Sequence, residues 1–316
     1  MRIIARLASL LTPATPWLPD VKRILIIGCG DVGERLVRRY RGQAEFFALT
    51  RSEVGAARLR ALGVMPAVGD LDRPETLKRL PRVDGVFHFA PPPAEGDTDP
   101  RTRHLIQALS RRGSLPGHLV YISTSGVYGD CGGAWVDESR PPAPVNGRAI
   151  RRVDAEKQLR AWGRRNGVRV SILRAPGIYA ADRLPLERIK LGTPALIAQD
   201  DSYTNHIHAD DLARLAWAAM FRGRPQRVYH AVDAQPMKMG DWFDSCADAF
   251  DLPRPPRVSR AEAEGVLSEA LLSFLRESRQ LSNRRAKREL RLKYLYPASD
   301  DLLVEIKRSR GQMVLF

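Results

Sequence analysis

From Lys22 onward, short apolar runs alternate with amphipathic stretches. The run RILIIG ends at Gly28, and DVGERLVRRYRG follows with Val32, Leu36, Val37 and Tyr40 on one face and Gly42 as a stop. An unbroken apolar run of this length reads as a strand buried on both faces. The three-to-four-residue spacing after it reads as a helix. EFFALT is a second strand, and SEVGAARLRALG a second helix with Ser52 as its N-cap. VMPAVGDL, DGVFHFA and HLVYIST continue the strands, with helical stretches near 74–80 and 101–112 between them. A helix over 148–164 leads into VRVSILRAPGIY, a sixth strand.

This alternation predicts an α/β fold, a doubly wound parallel Rossmann sheet whose ligands bind at the carboxyl ends of its strands. After Tyr179 the rhythm breaks. YTNHIHADDLARLAWAAM reads as a strand and an amphipathic helix that Asp210 would cap, RVYHAVD as a further strand, and the chain from about Met237 as mostly helical. The division expected is an N-terminal extension (1–21), a dinucleotide-binding domain (22–178, with 203–232 returning to it) and a smaller, mostly helical C-terminal substrate lobe (179–202 and 233–316).

Composition changes this picture little. With 316 residues, 44% hydrophobic, a packed core is expected. The net charge of +15 raises the question of nucleic acid. However, 43 of the 51 basic residues are arginines spread along the whole chain, and the densest cluster, SNRRAKRELRLK, reads as a solvated helix face. Nucleic-acid binding is therefore not expected. Cys29, Cys131 and Cys246 lie far apart without metal-ligand spacing, which fits the cytoplasm. No apolar run reaches the ~18 residues that a membrane span needs. The basic start MRIIARLASLLTPATPW is interrupted by Arg6 and reads as a short extension.

GCGDVG supplies Gly28, Gly30 and Gly33 in the G-x-G-x-x-G spacing, directly after a strand and opening a helix. The first glycine permits the tight turn, the second lets a pyrophosphate approach, and the third lets helix and strand pack closely. Asp31 and Val32 begin the helix whose N-terminus would face the anion. At the end of the second strand, where an NAD site usually carries an acid, the chain reads Thr50, Arg51, Ser52. A guanidinium in that place favours a 2′-phosphate, hence NADP over NAD. In an arginine-rich chain, Arg51 is also readable as an ordinary surface residue. Asp70 is placed either to accept from an adenine amino group or to cap the next helix.

In combination, IIGCGDVGERL, GDLDRPETL, VFHFAPPP, VYISTSGVYGD, WVDES, SILRAPGIY and HIHADDLA resemble the extended short-chain dehydrogenases/reductases, the NAD-dependent epimerase/dehydratase superfamily. The resemblance runs from about residue 22 to 235. LSNRRAKREL looks like the matching region of an atypical, YeeZ-like bacterial branch. The resemblance implies that Ala90 and Pro91 line the cofactor's path and that Pro176, Gly177 and Ile178 lie near the nicotinamide. It places Thr124, with Ser125 adjacent, as hydroxyl donors to the reacting oxygen. Hydroxyls at a strand end suit that role, although Ser123 to Ser125 could equally serve only their own turn.

The family's base is a tyrosine followed four residues later by a lysine, then by a glutamate that matches Glu156. Counting back puts Arg152 in the lysine's place and Arg148 in the tyrosine's. Arg152 can still bind ribose hydroxyls or a phosphate. Arg148 cannot donate a proton, because guanidinium stays charged in this range, but it can hold an anionic substrate, as can Arg183 or Arg188. Tyr128 and Tyr179 are the candidates for a substitute acid. His206 and His208 alternate on one strand, yet the stretch matches a helix start and no metal is expected. Arg174 reads as structural. The sequence thus points to an NAD(P)-dependent, epimerase-like oxidoreductase acting on a small anionic substrate; pairing as a homodimer is what the resemblance implies, and the arginines on the 148–164 helix could disturb such an interface. The alternative is a non-catalytic dinucleotide-binding sensor or scaffold.

Overall fold

The computed structural model describes residues 23–111 and 115–313; the expected N-terminal extension lies outside them. Seven strands form one parallel sheet: β1 (Arg23–Ile27), β2 (Glu45–Thr50), β3 (Met65–Val68), β4 (Gly85–His88), β5 (His118–Thr124), β6 (Arg169–Ala175) and β7 (Arg227–His230). Their order across the sheet is β7-β6-β5-β4-β1-β2-β3. The direction of winding reverses between β1 and β4, and a crevice opens there at the carboxyl ends. The central strands are buried throughout because helices cover both faces: Ile24 to Ile27 and Leu119 to Tyr121 are wholly inaccessible.

Helices α1 (Asp31–Arg39), α2 (Glu53–Ala61), α3 (Pro100–Ser110) and α4 (Gly147–Asn166) alternate with these strands, and α5 (Ala209–Arg222) returns to the sheet. One face packs Leu36, Phe46, Leu173, Leu212 and Trp217 into a core. The other packs Leu25, Leu105, Tyr121, Leu159 and Trp162. Ser52 caps α2 by accepting from the Gly55 amide, and Asn146 caps α4 by accepting from the Ala149 amide. The stretch near 74–80 is a 3₁₀ helix (Pro74–Arg79). The sixth strand is shorter than expected. Pro176 lacks the N–H to continue the ladder, and Gly177–Tyr179 forms a separate strand beside His206–His208.

Two local expectations change. The cap of α5 is His208, whose Nδ1 accepts from the Asp210 amide, because the helix begins at Ala209 and leaves Asp210 inside its first turn. The C-terminal lobe has its own core around Tyr179, Trp242, Phe243, Leu302 and Leu303. It contains α6 (Met239–Ala249), α7 (Arg260–Val266), α8 (Glu269–Leu275) and α10 (Ser299–Met313). Helix α9 (Arg284–Leu290), expected in that lobe, instead packs on the sheet domain. Ala286, Leu290 and Tyr294 join the core that holds Trp217 and Tyr229. Among the described residues, no helix is long and apolar enough to cross a membrane.

Candidate functional site

Strand ends assemble the site. Gly28 follows β1 with φ +88°, and a methyl group there would stand 2.5 Å from the Ala90 nitrogen. Only glycine permits both the conformation and this approach of the β1 and β4 ends. Gly30 caps α1 without any side-chain hydrogen bond, and a methyl group on it would meet nothing within 4 Å. The leading N–H groups of α1, including those around Asp31 and Val32, therefore face open space that fits an anion. Gly33 is buried, with its missing side chain toward Cys29 and the Gly28 carbonyl. The three glycines occupy the turn, the open cradle and the helix–strand contact.

The mouth of this loop is heavily charged. Asp31 pairs with Arg35 at 2.8 Å and with Arg183 at 2.9 Å, and Arg35 also reaches Asp182 (3.1 Å) and Asp210 (3.0 Å). Burial alone would raise the Asp31 carboxyl, but the bonds and charges of the two arginines outweigh it and hold the group below the ordinary carboxylate range. Arg51 is exposed after β2 and has no hydrogen bond or ion pair among the described residues. Arg58 of α2 donates to the Cys29 carbonyl at 2.9 Å and pairs with Glu34. The β2 side of the crevice thus has two guanidinium groups, one of them missed in the sequence. The signal was available: Arg58 lies on the helix that begins two residues after Arg51. Asp70 closes its own turn, accepting from the Asp72 amide at 3.0 Å. Ala90 donates to Ile27, and the Pro91 and Pro92 carbonyls accept from Arg101, which Asp72 holds at 2.7 Å. Pro176 and Ile178 are half-buried at the end of β6.

At the end of β5, the Thr124 hydroxyl is half-buried and accepts from the Gly126 amide at 3.2 Å. Ser125 is buried. Arg152 is half-buried and donates through Nη1 to the Ile122 carbonyl (2.5 Å) and the Tyr121 hydroxyl (3.1 Å). That edge of the guanidinium is occupied. Arg148 is exposed, lies 5.0 Å over the Phe274 ring, and has no carboxylate within ion-pair distance among the described residues. Partial desolvation of its guanidinium, aided by the charge of Arg152 and opposed by that of Glu277, lowers its proton affinity. Glu277 enters the same space. A methyl group on Gly126 would stand 3.5 Å from Thr124 Oγ1 and 3.8 Å from Glu277 Oε2. The carboxylate is fixed by Asn146 (3.1 Å) and Arg279 (2.8 Å). Nothing in the sequence pointed to Glu277, which lies 153 residues beyond Thr124 and arrives through the lobe.

Neither tyrosine is available as the substitute acid. Tyr128 is buried, and its hydroxyl is engaged by His230 Nε2 at 2.6 Å and Arg174 Nη1 at 2.7 Å; burial pushes it up to about 12. Tyr179 is equally buried, its hydroxyl turned to the Ala298 carbonyl, and burial raises it further. Arg174 instead anchors a buried network. It pairs with Glu156 at 2.6 Å and 3.1 Å, and Glu156 accepts from Ser123 at 2.6 Å. Arg188 lies over Phe243 and donates to Pro194, outside the crevice, whereas Arg183 stands at the phosphate loop. His206 and His208 are buried among Tyr179, Trp242 and Tyr296. Among the described residues no group of acids, histidines and cysteines is arranged to hold a metal. A separate cavity of about 700 Å³ beside Trp135 and Arg284 is lined by none of the candidate site residues.

A doubly wound sheet with a glycine loop at its switch point has the architecture of the dinucleotide-binding α/β folds. The chain belongs to the NAD dependent epimerase/dehydratase family, whose model matches residues 24–231. It is 28% identical over 239 residues to a GDP-6-deoxy-D-mannose reductase of Pseudomonas aeruginosa, covering 65% of this chain and 78% of that protein. A conserved protein of unknown function from Silicibacter pomeroyi superposes with a TM-score of 0.77 at 27% identity, over 92% of this chain and 99% of the other. A dTDP-glucose 4,6-dehydratase from Streptomyces venezuelae, solved with NAD bound, shares the fold with a TM-score of 0.73 at 20% identity, over 93% of this chain and 98% of that one.

Proposed function

We propose that the protein is an NADP(H)-dependent oxidoreductase or epimerase-like enzyme acting on a small anionic substrate. The observation that carries the reading is the juxtaposition of the Thr124 hydroxyl and the Glu277 carboxylate over Gly126. Gly28, Gly30 and Gly33 would hold the pyrophosphate, Arg51 and Arg58 the 2′-phosphate, and Arg152 the ribose hydroxyls. When bound, the dinucleotide supplies the hydride donor or acceptor. The chain's own part is proton handling and positioning: Thr124 and Ser125 donate to the substrate oxygen, and Glu277 takes its proton when an alcohol is oxidised. Arg148, a cation with no carboxylate at ion-pair distance among the described residues, supports an anionic substrate.

A second reading, a dinucleotide-binding protein without turnover, is favoured by the arginines at 148 and 152 and by the engaged hydroxyl of Tyr128. Calorimetric titration with NADPH and NADH at fixed salt tests the cofactor. Arg51→Asp should weaken NADPH at least tenfold, since a charge-assisted bond contributes about 1.5–3 kcal/mol, and leave NADH within threefold. Equal loss for both nucleotides would refute the 2′-phosphate assignment. Absorbance of NADPH with anionic carbonyl compounds and nucleotide sugars then separates the readings. Tight binding with no oxidation of NADPH by any of them favours the second.

A further inference from the structure

We propose that Arg183 is a pyrophosphate clamp, which exchanges its Asp31 partner for the dinucleotide's pyrophosphate. The inference rests on the cofactor reading above and goes beyond it, because Arg183 lies outside the sheet, on the short turn Ala181–Arg183 that follows Tyr179. Its Nη1 is 2.9 Å from Asp31 Oδ2, and Asp31 is the first residue of α1. The guanidinium is therefore carried to the helix end whose N–H groups lack a cap and whose Gly30 cradle is open. Arg183 and Asp31 are both exposed, so their bond is free to exchange.

Charge makes a pyrophosphate a stronger partner for Arg183 than the single carboxylate of Asp31. The ion cluster consists of Asp31, Asp182 and Asp210 with Arg35 and Arg183, three acids against two cations. Arg35 stays committed, since its guanidinium reaches all three carboxylates. Among the described residues the Arg183 guanidinium has one partner, and that partner keeps Arg35 when Arg183 leaves. A pyrophosphate arriving beside Asp31 brings two further negative charges to an acidic cluster, and Arg183 is the group placed to neutralise them. Its planar fork suits phosphate oxygens in pairs. Asp31 then acts as a holding station that keeps the clamp beside the loop before the cofactor enters.

The test compares substitutions with opposite expected signs, using NADPH, NADH and adenosine 2′-monophosphate, which keeps the 2′-phosphate but lacks the pyrophosphate. Arg183→Gln should weaken whichever dinucleotide the wild type binds by tenfold or more and leave the monophosphate within twofold. Arg183→Lys should recover part of the loss. Asp31→Asn removes the competing carboxylate and should tighten the dinucleotide severalfold. If Arg183 were only a structural tie to Asp31, both substitutions would weaken binding and lower the melting temperature of the free protein together; that result overturns the clamp. Unchanged dinucleotide affinity in Arg183→Gln also overturns it. Failure of the wild type to bind either dinucleotide would instead remove the cofactor reading, and the clamp with it.

Discussion

The buried pair Arg174–Glu156 allows a quantitative test. Both side chains are almost inaccessible, at 3% and 4%, and the pair is bidentate. Glu156 also accepts from Ser123 and Arg174 donates to Tyr128, so four side chains on β5, α4, β6 and the turn after β5 share one network. Replacing Arg174 by Leu leaves a buried carboxylate with only the Ser123 hydroxyl. Breaking a buried pair in this way costs about 3–5 kcal/mol, a large part of the ~5–15 kcal/mol that holds a typical domain folded. Glu156→Leu should cost a similar amount by stranding the guanidinium. The double substitution removes both charges and leaves only the Ser123 hydroxyl short of a partner, at about 1–3 kcal/mol when unsatisfied, because the Tyr128 hydroxyl keeps His230. Its cost should fall below the sum of the singles by about 2 kcal/mol or more, well above the ~0.5 kcal/mol scatter of independent sites. Equilibrium urea unfolding at pH 7 with unchanged m-values measures all three. Additive costs would refute the coupling, and single losses under about 1 kcal/mol would show that the site does not bury charge as described.

Two further predictions follow from the core and the loop. Burial depresses His88, His118 and His230 to about 3 and His206 to about 4, so the fold holds all four neutral. Their folded values lie below the unfolded one, near 6.5, so this stability is intact above that pH. It is lost as pH falls toward the folded values, each histidine removing up to about 1.4 kcal/mol per pH unit. Melting temperature should drop steeply between pH 6.5 and about 4.5, and a flat profile there would contradict the neutral burial. Gly28→Ala forces a side chain into positive φ and onto Ala90, which should cost about 1–3 kcal/mol and abolish dinucleotide binding. A variant that melts and binds like the wild type would refute the close approach of β1 and β4.

The sheet and its order of elements were legible because parallel strands buried on both faces leave unbroken apolar runs, as in RILII and HLVYIST. The glycine loop was legible for a related reason: each glycine answers a local backbone demand. What escaped is what the chain assembles across long separations. Glu277 reaches Gly126 only through the lobe, and Arg35 meets Asp182 and Asp210 only after α1, α5 and the turn at 181–183 converge. The engagement of Tyr128 was hidden for the same reason. Its position at a strand end is local, whereas the partners that immobilise its hydroxyl, Arg174 and His230, come from two other strands. Helix α9 was assigned to the lobe by its place in the chain, while the spacing of Ala286, Leu290 and Tyr294 directs it to the sheet domain.

That placement of α9 restricts how the molecule moves. The chain leaves the sheet domain after β6 and returns at His206. It leaves again after β7, comes back through the pairing of Gln280–Leu281 with Trp135–Val136 and through α9, and crosses once more to reach α10. A lobe tethered by so many crossings cannot swing about a single pivot, because each crossing would have to flex in concert. Small sliding of packed surfaces is the motion that such tethering favours. Entry to the crevice then falls to its smallest parts, the side chains at its rim, and guest selection becomes a matter of rotamers at a fixed doorway.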